Sequence, residues 1–202
     1  FCTDLVEVKL PDGITRIADR LFYNCFSLSS VQMPVGIDYI GEFAFYNCRS
    51  MKNMVIPTNV KTIGLEAFSG CSSLSNVTVP STVEYVGNGA FKYCSGLTSI
   101  NWLAEGITTF VETFSGCGME SFIVPEGAQD LSNCFQNCTK LVAVVLPEST
   151  EKVINTFAGC DNLTSVTVNA PVPPEVTEGT FSANALLNGT LYVPKGCKAL
   201  YE

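Results

Sequence analysis

Cys2, Cys25, Cys48, Cys71, Cys94 and Cys117 follow one another at intervals of 23 residues, and Cys138 and Cys160 continue the series after 21 and 22. A fixed period of about 20 to 50 residues decides architecture before local propensity does, because each unit is too small to bury an apolar face alone. Prolines keep the same beat at Pro11, Pro34, Pro57 and Pro80. They resume at Pro125, Pro147 and Pro194, with Leu103 and Asn169 standing in two of the intervening slots.

One unit reads Leu28, Val31, Met33, Pro34, Ile37, Ile40, Gly41, Ala44, Phe45, Cys48, and the next repeats it from Met51 to Cys71. The segment before each proline alternates with period two, as a short strand does, and the proline ends it. Spacings such as Ile40, Ala44, Phe45, Cys48 predict a tight helical turn. The short Ile-x-x-Ile segment between them suits either an extended or a turning chain. Units of this kind bury their apolar faces only by stacking, which predicts a repeat solenoid, mainly β with short helical turns. Its strands centre on Val8, Val31, Met54, Val77, Ile100, Phe122, Val144, Val166 and Leu191. Paired at about 4.8 Å, they make a curved parallel sheet roughly 40 Å long.

The pattern Leu-x-x-Val-x-Leu-Pro-x-x-Val-x-x-Ile-Gly-x-x-Ala-Phe-x-x-Cys resembles the BspA-like leucine-rich repeats, the 23-residue class of bacterial surface proteins and some protist ones. The resemblance covers the whole chain and is cleanest from Leu28 to Cys94. It implies a leucine-rich-repeat right-handed superhelix, and a single domain over 1–202 of about eight repeats plus a closing strand. The segment Leu191 to Gly196 looks like the one that closes many such domains. Phe1 and Cys2 look like the end of a repeat cropped from a longer protein. The resemblance also implies an extracellular or cell-surface location. Some slots depart from the pattern: Trp102-Leu103 replaces Leu-Pro, Val111 falls in the Gly slot, Cys134 takes the Ala slot, and Pro171, Pro173 and Pro174 interrupt repeat eight.

The composition narrows function by exclusion. Histidine is absent, which removes Ser-His-Asp and Cys-His catalysis and His metal triads. A net charge of -8 argues against nucleic acid, which needs a basic stripe. The longest apolar run, Leu141 to Leu146, is six residues, far short of the roughly 20 that span a bilayer, so the chain is not expected to be membrane-spanning.

Motifs with chemical potential are few. Eight of the ten cysteines share one slot between apolar neighbours, where stacked side chains at about 4.8 Å suit a buried thiol column better than disulfides. Cys134 and Cys197 fall outside that column, and Cys134 with Cys138 lacks the further ligands a zinc site needs. Glu148 with Glu151, and Glu175 with Glu178, are carboxylate pairs in linkers with no nucleophile nearby. Gly87-Asn88-Gly89 lacks the third glycine of a dinucleotide loop, and no cofactor or metal is expected. Asn76, Asn137, Asn162 and Asn188 begin glycosylation sequons, relevant only in a source that glycosylates exported proteins. Glu105, Glu112, Glu120, Glu126 and Asp130 predict a diffuse acidic edge with at most weak calcium affinity and no preformed cage.

The outward strand positions carry the functional expectation, because the repeat does not constrain them for packing. One row contains Gln32, Val55, Thr78, Asn101, Ile123, Val145 and Thr167, continuing from Lys9. The parallel row contains Asn53, Asn76, Ser99, Ser121 and Ser165, with Glu7, Ser30 and Ala143. Hydroxyls, amides and exposed aliphatics on a concave face suit a protein or carbohydrate partner, although such residues are also ordinary strand-surface choices. The expected function is a non-enzymatic module binding such a partner through this face; a structural spacer without a ligand is the alternative. Trp102 is expected to be oversize core, or, with a local slip of register, the one large aromatic offered to a ligand. Inside, Phe22, Phe45, Phe68, Phe91, Phe114, Phe135, Phe157 and Phe181 are expected to stack as one column.

Overall fold

A computed structural model describes residues 2–202; Phe1 lies outside them, and with it half of the expected N-terminal repeat remnant. Each of the first four coils carries two strands: β1 (Glu7–Lys9) and β2 (Arg16–Ile17), β3 (Ser30–Gln32) and β4 (Tyr39–Ile40), β5 (Asn53–Val55) and β6 (Thr62–Ile63), β7 (Asn76–Val79) and β8 (Tyr85–Val86). Later coils carry one each: β9 (Ser99–Trp102), β10 (Ser121–Ile123), β11 (Ala143–Leu146) and β12 (Ser165–Val168). Helix α1 (Ala183–Asn188) precedes β13 (Thr190–Tyr192), and α2 (Lys198–Tyr201) follows it. All nine expected strand centres fall within strands, every described pairing is parallel, and Val77 faces Ile100 as Val144 faces Val166. The chain is a parallel β-solenoid with very little helix.

The Ile-x-x-Ile segment, compatible with two conformations from sequence, is extended. It forms the second sheet, β2-β4-β6-β8, and single bridges carry a similar ladder on from Thr109 to Asp130, Lys152 and Glu175. The first sheet is divided into β1-β3, β5-β7-β9 and β10-β11-β12-β13. At the second division the extra rings of Trp102 and Phe122 crowd Phe114, with centroids 5.9 and 5.1 Å away. Phe column spacing there widens to 6.1 Å from the 5.3 Å of the coils before it.

The third side of each coil is a run of turns rather than a short helix. Phe43 and Asn47 have positive φ of 54° and 58°, and the same two slots are left-handed in each coil through Asn155 and Gly159. Alternating handedness turns the Phe N–H out of its own coil: Phe45 N donates to Ala67 O at 2.7 Å, and Phe68 N to Ala90 O at 2.9 Å. A helix would direct these N–H groups along its own axis and leave the coils unjoined on this side. The slot before cysteine is Asn or Gly at six of its seven occurrences, Tyr93 being the exception, as left-handed backbone favours.

The core is one continuous cluster from Ile17 to Ala185. The eight expected phenylalanines stack in an unbroken column, with centroids 5.2 to 6.1 Å apart and planes within 21° of parallel. Gly41, Gly64 and Gly87 mark a column of close approach between successive coils. A Cβ on Gly64 would lie 2.6 Å from Glu42 N and 2.7 Å from Gly41 C, both backbone atoms that cannot swing aside. Ala18 occupies the same slot in the first described coil and is exposed. Val111 does not take this slot as expected. Gly89 N bonds Val111 O as Glu66 N bonds Asn88 O, so Val111 corresponds to Asn88; Phe110, whose carbonyl accepts from Thr113 N as that of Gly87 accepts from Ala90 N, takes the glycine position in that coil. Gly64→Ala is expected to lower stability by about 1 to 3 kcal/mol through overpacking, measured by urea denaturation; Gly106→Ala, with nothing within 4 Å of its added carbon, isolates the backbone component because its φ is +74°.

Candidate binding face

The outward rows form as the alternation requires. Asn53, Asn76 and Ser99 stand side by side across β5-β7-β9, as do Val55, Thr78 and Asn101. Across β10-β11-β12 the rows are Ser121, Ala143, Ser165 and Ile123, Val145, Thr167. Gln32 lies on β3 beside Lys9 of β1. The face is therefore brought together in three panels rather than one sheet. Gln32, Asn53, Val55, Asn76, Thr78, Ser99, Asn101, Ser121 and Ile123 are exposed, whereas Val145, Ser165 and Thr167 are half-buried. Val55 retains 81% and Ile123 74% of its surface, so neither contributes appreciably to the core. Tyr192 extends the second row beyond Thr167 and is 54% exposed. Centring β13 on Leu191 already placed its neighbour Tyr192 outward, so the alternation contained that signal.

A shallow depression lies over the β3–β5 division, lined by Gln32, Asn53 and Val55 together with Glu7 and Lys9. A second lies over β9–β10, lined by Ser99, Trp102, Ser121 and Ile123. Trp102 is half-buried against Phe110, its ring centroid 5.0 Å away, as oversize core in the inward slot. Its Nε1 is buried without a hydrogen-bond partner among the described residues.

Other candidates resolve into structural roles or remain surface groups. All ten cysteines are free. From Cys48 to Cys160 the column thiols donate to the Phe carbonyl of the preceding coil at 2.9 to 3.2 Å, so the slot favours a side chain that is small, apolar and a weak donor. Burial pushes Cys94, Cys138 and Cys160 up to about 12 and raises Cys25, Cys48, Cys71, Cys117 and Cys134 as well. Glu148, Glu151, Glu175 and Glu178 are exposed. Gly87 and Gly89 are buried, Gly87 against the preceding coil's backbone. Within the acidic stretch, Glu112 pairs with Lys92, and Asp130 accepts bonds from Ser132 N at 2.9 Å and its hydroxyl at 2.6 Å. Burial lowers the Lys92 pKa and the Glu112 contact outweighs it, leaving the ammonium above its ordinary value. No helix among the described residues is long and apolar enough to cross a membrane.

Residues 1–110 and 108–200 match the BspA type leucine rich repeat region, in six copies. No curated protein matches the chain. Among solved structures, a leucine rich cell surface protein of Faecalibacterium prausnitzii A2-165 is 25% identical with a TM-score of 0.58, over 83% of this chain and 60% of that one. A leucine-rich repeat protein of Bacteroides ovatus ATCC 8483 shares the fold at 23% identity and a TM-score of 0.71, over 96% and 62%. The T. pallidum leucine rich repeat protein does so at 24% and 0.56, over 96% and 80%. The chain thus spans about 60% of the length of the first two. With its 23-residue period, its stacked coils and a family match across nearly all its length, the chain belongs to the BspA-type leucine-rich repeat family.

Proposed function

We propose that this chain is a non-enzymatic module of an exported bacterial surface protein, holding a protein or carbohydrate partner against its strand face. The observation that carries the reading is the outward row itself. Val55 and Ile123 are large aliphatics left in water on a face whose inward neighbours already complete the core. The cell-surface description of the Faecalibacterium relative supports the location. Asn101→Arg with Ile123→Arg is expected to abolish retention of the partner on a panel of purified extracellular proteins and immobilised glycans. Retention of the same partner at unchanged affinity would sink the reading.

A spacer role, in which the solenoid only holds another domain at a distance, is favoured by the unbroken Phe column and the backbone bonds running beside it. A spacer is indifferent to both substitutions.

A further inference from the structure

We infer that the β5-β7-β9 panel is a site for a neutral, extended polysaccharide lying along the solenoid axis, one sugar to a coil. The inference rests on the strand-face reading and names its ligand class. Four polar side chains of the panel, Asn53, Thr78, Ser99 and Asn101, have no hydrogen-bond partner among the described residues, and Asn76 donates only to the neighbouring Ser75 hydroxyl. Each amide offers donors and an acceptor in one plane, and each hydroxyl offers both functions. That is the complement of a ligand whose own groups are hydroxyls. No position on the three strands is charged, so the panel offers no counter-ion to a phosphate, sulfate or carboxylate. Val55, 81% exposed between amide neighbours, gives the C–H face of a ring an apolar contact.

Pitch separates a glycan from a peptide. Adjacent strands present equivalent side chains about every 4.8 Å, whereas an extended peptide repeats its side-chain direction only every two residues, about 6.7 Å. A peptide lying across the strands therefore loses register with the panel after one coil. A pyranose unit in an extended chain is close to one coil in length; β1,4-linked units turn over by about half a turn at each link, but every ring carries hydroxyls on both edges, so each sugar still meets one position of the Asn, Asn, Ser row and one of the Val, Thr, Asn row. The two rows lie about 6.7 Å apart along each strand, which lets a ring between them offer hydroxyls to both.

The test uses the chain itself, titrated calorimetrically with neutral hexasaccharides of β1,4-linked glucose, β1,4-linked N-acetylglucosamine and β1,3-linked glucose, and with the corresponding disaccharides. At least one hexasaccharide is expected to bind, its disaccharide about tenfold more weakly. Asn53→Ala/Asn76→Ala/Asn101→Ala is expected to weaken the hexasaccharide by about tenfold or more, the scale of three modest hydrogen bonds, while the thermal midpoint stays put. Tyr85→Ala, exposed on the second sheet, leaves that affinity unchanged. Absence of heat with every hexasaccharide, or binding indifferent to the triple variant, overturns the inference. If the extracellular protein panel instead yields a partner released by Asn101→Arg/Ile123→Arg, the strand-face reading stands and the glycan falls. If neither glycan nor protein responds to any outward substitution, both fall.

Discussion

Raising the pH from 8 to about 10 is expected to unfold the reduced protein at a markedly lower urea concentration, because the folded state holds its thiol protons and the unfolded state releases them. The folded pKa values of Cys94, Cys138 and Cys160 lie near 12, above the ordinary thiol value. Their contribution is therefore complete below the unfolded pKa of about 8.5 and is lost progressively as the pH rises toward 12. One pH unit above the unfolded value each costs about 1.4 kcal/mol, so these three alone remove about 4 kcal/mol. Five further buried thiols shift in the same direction. The three alone amount to a large part of the roughly 5 to 15 kcal/mol that holds a typical domain folded. Urea midpoints at pH 8, 9 and 10 under reducing conditions check this, with Cys94→Ala/Cys138→Ala flattening the decline. Equal midpoints at all three pH values would mean that the thiols are not buried in the folded protein.

Phe68→Ala has the next largest expected effect. Phe68 is fully buried with Phe45 and Phe91 stacked on its two faces, each at 5.3 Å. Removing the ring takes away its burial and opens a cavity between two coils, at a cost of about 3 to 5 kcal/mol. For a chain of this size that corresponds to a fall of roughly 10 °C in the thermal midpoint. Phe181→Ala, at the end of the column and with Phe157 as its single stacked partner, costs less. Scanning calorimetry of the two variants measures the difference, and an unchanged midpoint for Phe68→Ala refutes the register.

The sequence exposed the register of this fold far better than its backbone. Strand centres and the Phe column follow from a 23-residue period because position within a repeat determines burial, whatever the local propensity. The turns beside Phe45 were harder. Apolar spacing alone does not tell a helical turn from a chain that alternates handedness at Phe43 and Asn47. The recurrent Asn or Gly before cysteine was the available signal, and it speaks of positive φ rather than of helix. The divisions of the first sheet had no local sign either. The one between β9 and β10 falls where the rings of Trp102 and Phe122, from two repeats, both lie against Phe114.

On the candidate face, alternation was enough to say which side chains point outward, because period two leaves no other choice. Their unequal exposure was not legible. Val145 and Thr167 are half-buried while Val55 and Ile123 stand nearly free, a difference set by neighbouring strands rather than by their own repeat. Chemical specificity is less legible still, since Asn, Ser and Thr at these slots also serve as ordinary strand surface.

The claim that the outward rows are free of folding duties and available to a partner is tested most directly by measuring Asn101→Arg/Ile123→Arg for thermal midpoint and for partner retention in one preparation. The expected result is a midpoint within about 2 °C of the native chain, as surface substitutions of this kind give, together with loss of the partner. A protein that melts much earlier would place these side chains in the core, and one that melts normally while holding the same partner at native affinity would remove the strand face from its function.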